Sequence, residues 1–429
     1  MASQTITANF TETILLADAN DILVVAKNVV GTVDGVAVDA SGSAFGRQIT
    51  IKGKVEALDN SEPNAASVAL NVGASKSSLD NNTTITIAGT GEVKAIDIGI
   101  NMFSEQSAII NNGSIGAAIG INGNFDDCVL TNNGNILSTT SAVRSLGSDN
   151  EIVNHGLMKS TDGPTLDLGG TSTIRNFGTI QSIGADAAIS IAEAGNNILV
   201  NHGKMLAAEI AYLGSGNGDT VVNYGRVTGV IDLGGGDDFF ANRGGTVVEA
   251  VAGGTGDDSY HSVSRAFTIL ESADGGFDTV RSNVNFTLTD FVEKLILTGN
   301  GNINGTSGNF ASELTGNAGN NRLQTRNGED VLDGGAGNDV LIGGGSGDRF
   351  VFEDGMGKDT INDFNSVDLI DLSNVSAAPD LDSLLDLARQ QGANVVINFG
   401  DGDRLTLRNT DLGDLSEDSF FFFGESVPL

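Results

Sequence analysis

A short phrase recurs along the first half of this chain, and its spacing limits the possible folds more than any other feature. It reads as a usually apolar residue, Asn, any residue, Gly, any residue and an apolar residue. It occurs at Ile110–Ile115, Thr131–Ile136, Val153–Met158, Arg175–Ile180, Val200–Met205 and Val222–Val227. The asparagines Asn111, Asn132, Asn154, Asn176, Asn201 and Asn223 follow at steps of 21, 22, 22, 25 and 22 residues. Looser echoes at Gly31, Gly53 and Gly91 fit the same period upstream. A unit of this size buries its apolar face only by stacking on its neighbours. Between the phrases lie alternating stretches such as Ala95-Ile96-Asp97-Ile98 and Ala188-Ile189-Ser190-Ile191. Period-two alternation bounded by Gly and Asn signals strands. The expected fold class is all-β, a right-handed parallel β-helix or β-solenoid in which each repeat is one coil. The recurring Asn then has a mechanical role, because stacked amides at one bend hydrogen-bond from coil to coil.

Composition narrows the function. The net charge is −33, from 55 Asp plus Glu against 22 Lys plus Arg. Phosphate binding needs clustered cations, so nucleic acid is excluded as a partner. Self-repulsion of this size opposes a compact state unless something neutralises it, and divalent cations are the simplest candidate. With 59 Gly and only 4 Pro, the chain has the makings of many tight turns, since Gly reaches positive φ without steric cost. The single cysteine, Cys128, rules out an internal disulfide and reads as buried packing. The opening MASQTITANF lacks the basic and apolar regions of a Sec signal, and no apolar run is long enough for a membrane span.

From Leu213 onward the turns become acidic. Gly214–Asp219, Gly234–Asp238 and Gly253–Asp258 place carboxylates in Gly-rich turns. Asp237, Asp238, Asp257 and Asp258 read as calcium ligands, while Asp219 stands evenly between ligand and turn residue. A second, nine-residue repeat follows, with Asn321, Asp330, Asp339 and Asp348 at its sixth position. Gly334-Gly335-Ala336-Gly337-Asn338-Asp339-Val340-Leu341-Ile342 matches G-G-x-G-x-D-x-U-x at every position, where U is a large apolar residue. Glycines let backbone carbonyls turn inward, Asp adds an anionic oxygen, and Leu341 faces the core. Hard oxygen ligands select calcium, which takes six to eight of them. One turn supplies too few, so an ion has to sit between stacked turns. Gly343–Val351 keeps Gly343, Gly344 and Asp348 but has Ser346 for the fourth-position glycine. Thr325–Asp333 keeps Asp330 but lacks the first two glycines, and Gly316–Gln324 carries Asn321 for Asp. A small block of two or three sites is expected.

Residues from about Gly253 to the end resemble the RTX, or haemolysin-type, calcium-binding family. Gly276-Phe-Asp278-Thr-Val, Glu293–Gly299 and Gly316–Asn321 are similar to its lead-in phrases. Phe350-Val-Phe352, Asp359–Phe364 and Asp368–Ser373 resemble the module that follows the repeats in serralysin-like proteins. The resemblance implies a parallel β-roll holding calcium between its turns, with Asp330, Asp339 and Asp348 and glycines 334, 335, 337, 343 and 344 as ligand positions. It also implies export from a Gram-negative bacterium through a type I exporter, by an uncleaved C-terminal signal. The expected organisation is a β-helix over 1–250, a transitional acidic region over 251–315, calcium repeats over 316–352 and a C-terminal module over 353–429. In that module Asp380–Gln391 reads as a helix, and Val395–Phe399 with Arg404–Leu407 as a hairpin around Asp401-Gly402.

No catalytic motif accompanies these repeats. There is no H-E-x-x-H, and His155, His202 and His261 are scattered. No G-x-S-x-G elbow and no D-P-H signature occurs. His155 and His202 share one repeat position, which reads as a structural stack of rings. The expectation is a secreted, non-enzymatic calcium protein serving as a surface, matrix or adhesive element. The alternatives are a β-helix enzyme or binder acting on cell-surface or matrix polysaccharide, and a self-associating S-layer-type subunit.

Overall fold

Short strands rich in Val, Ile and Thr bury every second side chain, and this alternation stacks them in register. In the computed structural model, residues 3–18, 21–41, 46–58, 66–73, 82–124, 126–192, 195–263 and 266–422 are described. The chain forms two compact units, Met1–Phe240 with Gly244–Ala252, and Ala241–Arg243 with Gly253–Leu429.

The first unit is a parallel β-solenoid. One column of core residues runs Leu23, Ile49, Ile85, Ile109, Leu130, Ile152, Ile174, Leu199 and Val221, each opposite the next one coil on. A second runs Val55, Val93, Ile115, Ile136, Met158, Ile180, Met205 and Val227. All of these side chains are buried. A slip of one residue would turn every one of them to solvent, so the register is strongly specified.

The asparagine ladder is present. Asn111 donates through Nδ2 to Asn132 Oδ1 at 2.7 Å, and Asn132 donates to Asn154 at 2.8 Å. Asn154 donates to Asn176 and Asn176 to Asn201, both at 2.8 Å, and Asn201 to Asn223 at 2.9 Å. All six are fully buried, so each bond is made away from competing water.

The glycine two residues later has a different purpose from the one expected. None of glycines 113, 134, 156, 178, 203 and 225 takes positive φ. They are needed because backbones stack too closely for a side chain. A Cβ on Gly134, Gly156, Gly178, Gly203 or Gly225 would overlap the carbonyl oxygen of the preceding glycine in the stack. Upstream the echoes are uneven. Gly53 and Gly91 belong to this stack, but the Thr90 hydroxyl donates at 2.9 Å to the Lys52 carbonyl 38 residues earlier, so that coil is much longer than the others. Gly31 does not belong. It lies opposite Val55, two places beyond Gly53, and the Phe10 ring covers it.

The second unit is also a parallel solenoid, built on shorter coils. Leu314, Leu332, Phe350 and Ile370 form one core column, and Leu323, Leu341 and Ile361 another. Successive nine-residue repeats therefore alternate between two sheets, and repeats 18 residues apart are neighbours. The C-terminal module differs from expectation at its helix, which covers only Leu381–Leu387, capped by Asp380 accepting from Ser383 N–H at 2.8 Å. Ala388–Gln391 is instead a strand antiparallel to Asn394–Gly400, closed by Gly392 at φ 62°. Cross-strand pairing overrides the helical pattern there. The hairpin of Asn394–Gly400 and Asp403–Leu407 turns at Asp401-Gly402. Among the described residues no helix is long and apolar enough to cross a membrane.

Candidate metal centre

The sixth-position aspartates are arranged in two columns. In one, Ser312 N–H donates to Asp330 Oδ1 at 2.7 Å, Asp330 N–H to Asp348 at 3.0 Å, and Asp348 N–H to Asp368 at 3.0 Å. In the other, Asn321 N–H donates to Asp339 at 2.7 Å, and Asp339 N–H to Asp359 at 2.8 Å. One oxygen of each carboxylate thus holds the coil before it. The second oxygen of Asp339, Asp348 and Asp359 is buried with no hydrogen-bond partner. A buried anionic oxygen without a partner is costly, and native folds rarely keep one unless a ligand meets it.

Burial is the main reason these carboxyls titrate high. Asp339 and Asp348 are pushed up to about 7, and Asp359 to about 8, where Asp339 and Asp403 add repulsion. Asp330 rises only to about 6, because the Thr325 hydroxyl and Ser312 N–H offset part of the burial. Thr325 stands at the position where the full repeat has its first glycine. At the glycine positions, a Cβ on Gly334 would lie 2.6 Å from Asp339 Oδ2, and one on Gly343 would overlap Asp348 Oδ2. The first glycine of each repeat therefore leaves space for the carboxylate's spare oxygen. The second and fourth supply conformation: φ is 72° at Gly335, 148° at Gly337 and 90° at Gly344. Ser346 takes the fourth place of its repeat at φ 84°, a strained value for a residue with a Cβ.

The donor set fits a hard divalent cation, with anionic oxygens, Gly-rich backbone and no soft ligand. When bound, such an ion supplies the positive charge that the buried carboxylates lack. Asn321 is different. Its Oδ1 accepts from Asn317 N–H at 2.8 Å and its Nδ2 donates to the Ile303 carbonyl at 2.6 Å, so its needs are met locally.

The upstream acidic pairs divide by position. Asp238 and Asp258 are buried, whereas Asp237 and Asp257 are exposed. Asp257 accepts from Phe277 N–H at 2.8 Å. Asp219 is saturated by neutral donors: Asn197 N–H at 2.8 Å, the Tyr212 hydroxyl at 2.9 Å and Ser215 N–H at 3.0 Å. Nothing in that arrangement calls for a metal. Sequence reasoning passed over Asp359 and Asp368 as column members. Their signal is a step of 20 residues from Asp339 and Asp348, two longer than the steps within the repeats.

Phe177 stands between the rings of His155 and His202. His155, Phe177, His202 and Tyr224 form one exposed stack, with ring centroids 4.8, 5.0 and 4.5 Å apart. Cys128 is buried, and desolvation raises its thiol to about 11.

The match to a repeat family agrees with this geometry. The RTX calcium-binding nonapeptide repeat family, in four copies, matches residues 315–350. The chain is 34% identical over 168 residues to the endo-1,3-1,4-beta-glycanase ExsH of Rhizobium meliloti (strain 1021), covering 39% of this chain and 34% of that protein. It thus spans about a third of the length of that relative. A solved structure, the extracellular lipase LipA from Serratia marcescens, aligns over 53% of this chain and 40% of its own, at 20% identity and a TM-score of 0.23. With the aspartate columns and the repeat match together, residues 315–350 are RTX calcium-binding nonapeptide repeats set in a parallel β-solenoid.

Proposed function

We propose that this protein is a non-enzymatic, secreted structural or surface element of a Gram-negative bacterium, folded by calcium after a type I exporter releases it. The observation that carries the reading is the buried, unpartnered second oxygen of Asp339, Asp348 and Asp359. Inside the cell, scarce calcium leaves those carboxylates uncompensated and the second unit poorly folded, which suits export. Outside, millimolar calcium matches the affinities of about 10⁻⁴–10⁻³ M typical of extracellular modules. Asp330, Asp339 and Asp348 are the proposed ligands in the repeats, with backbone from glycines 334, 335, 337, 343 and 344. Circular dichroism with calcium and with chelator tests this reading: strand signal and melting temperature should both fall on chelation. An unchanged spectrum and melting point would refute it.

A second reading, binding or cleavage of polysaccharide, draws on the glycanase relative. The first unit has a groove of about 460 Å³ where Leu58, Ile96 and Leu137 are exposed, with Glu56 as its only carboxylate among the described residues. Glycoside hydrolysis generally uses a carboxylate pair, which favours the non-enzymatic reading for this groove. Release of reducing ends from a mixed-linkage β-glucan would reverse that order.

A further inference from the structure

We propose that a break in the wall of the second unit binds a neutral oligosaccharide of β-linked pyranoses whose hydroxyls are equatorial. Strands Ser259–Val263 and Thr279–Ser282 pair directly on successive coils, with Ser259 opposite Thr279. The strands that follow them, Thr268–Leu270 and Phe286–Thr287, are not paired. Phe286–Thr287 heads an eight-stranded sheet to which Thr268–Leu270 does not belong. A groove of about 500 Å³ opens between these two strands, and a second of about 450 Å³ adjoins it, sharing Thr287, Leu288 and Thr289. Each lies within the range of about 300–1,000 Å³ usual for small-molecule sites. This site rests on the polysaccharide-binding reading but lies apart from the first unit's groove, so different variants test the two.

The break is more than a packing fault. Thr289 and Ser307 line it, and Thr289 Oγ1 and Ser307 Oγ are buried without a hydrogen-bond partner. A buried hydroxyl left unpaired costs stability, so two in one groove point to a polar ligand. Phe291 forms part of the wall at φ 64°, a left-handed value that an aromatic residue adopts only where its surroundings hold it. Its ring packs on Phe310 of the next coil, with centroids 4.6 Å apart, and Phe310 is still 47% exposed. Asp290 and Arg326 also line the groove, and both are exposed. Gly308 leaves the carboxylate room, since a Cβ there would lie 2.5 Å from Asp290 Oδ1. An equatorial pyranose matches this set. Its C–H faces lie flat on aromatic rings, and its rim of hydroxyls both donates and accepts, meeting Thr, Ser, Asp and Arg. An added peptide strand is less suited. Phe286 and Leu288 already give their N–H groups to Asn304 O and Thr306 O, and strands of two and three residues offer few further ladder bonds. The net charge of −33 repels polyanions, which restricts the sugar to a neutral one.

Saturation-transfer NMR on the calcium-loaded, full-length chain tests the site, with cellotetraose and laminaritetraose as probes. At least one should take saturation at its ring C–H protons, and tetragalacturonate should bind about tenfold more weakly. Phe291→Gly should weaken binding about tenfold while keeping the fold, because glycine takes φ 64° without strain, and Phe291→Tyr should retain binding. Ser307→Ala should weaken it about three- to tenfold through one lost hydrogen bond. Should Phe291→Gly not fold, Arg326→Ala, at an exposed residue, should show a loss of about threefold or more. Leu137→Ser, in the first unit's groove, should leave the affinity unchanged. Absence of saturation in both probes, equal binding of tetragalacturonate, or full affinity in Phe291→Gly, Ser307→Ala or Arg326→Ala would overturn the proposal. So would capture of an extended Val-Thr octapeptide in place of the sugars, or loss of sugar binding in Leu137→Ser, which would move the site to the first unit.

Discussion

Asp339 sits where charge and geometry oppose each other, so Asp339→Asn should change the sign of its effect with calcium. Asparagine preserves the acceptor for Asn321 N–H and the shape over Gly334, and removes only the charge. Without metal at pH 8, a carboxyl raised from 3.8 to about 7 is mostly ionised in the fold. Each pH unit is worth about 1.4 kcal/mol, which bounds the penalty at roughly 4 kcal/mol. Relaxation and water access relieve part of it, leaving about 2 kcal/mol. Asparagine escapes that penalty and should be the more stable form in chelator. At calcium one hundred times its dissociation constant, a site contributes about 2.7 kcal/mol, most of which the variant forfeits. The pH dependence follows from the raised value. Stabilisation by the protonated carboxyl is complete below about pH 4 and lost as pH rises through about 7, so the metal-free advantage of the variant should shrink to less than half at pH 5 and vanish only below about pH 4. Urea melts followed by circular dichroism would measure this, with an osmolyte bringing the metal-free protein into its transition. A variant that destabilises equally with and without calcium would refute the argument.

Asp278, Asp348 and Asp359 share the high titration, so the calcium-free second unit should lose thermal stability between pH 5 and pH 8, and saturating calcium should flatten that slope. Asn154→Ala removes one bond from Asn132 and two donated bonds, to Asn176 and the Thr179 carbonyl, and should cost about 2–5 kcal/mol in urea melts of the first unit. Gly156→Ala should destabilise the first unit strongly by forcing its stacked backbone apart, whereas Gly216→Ala, with open space around it, should be nearly neutral by the same melts. The Cys128 thiol, raised to about 11 and buried, should react with a thiol reagent only as fast as the first unit opens.

Much of the fold was legible because solenoid coils repeat their side-chain chemistry in register. The Asn phrase marked one bend, and the alternating stretches marked the strands behind it. What period alone did not convey was the reason for each glycine. Gly156 and Gly335 look alike in the chain, yet one is required by a carbonyl pressed against its Cα and the other by φ 72°. The long coil between Gly53 and Gly91 blurred the upstream period, so Gly31 was drawn into a stack it does not join. At the candidate site the repeat located Asp339 and Asp348 but not the oxygens beyond it. Asp359 and Asp368 follow a step of 20, and Glu271 approaches Asp278 through a fold-back that no spacing announces.

Both units place a side-chain acceptor at the start of a strand to receive the N–H of its counterpart one coil earlier, and the residue chosen decides what else is needed. In the first unit Ser107 accepts from Thr83, Cys128 from Ser107, Asn150 from Cys128 and Asn197 from Ser172. Hydroxyl, thiol and amide carry no charge, so one bond suffices and the coil is complete. A carboxylate brings a second oxygen and a full charge. At Asp219 the Tyr212 hydroxyl and Ser215 N–H absorb both. At Asp339 and Asp348 no such donors are present, and the glycine beneath each carboxylate keeps the space open. Calcium dependence is therefore set coil by coil through the chemistry of one position. Chelation should unfold coils whose acceptor is an unsaturated aspartate and spare those held by Ser, Cys, Asn or the saturated Asp219.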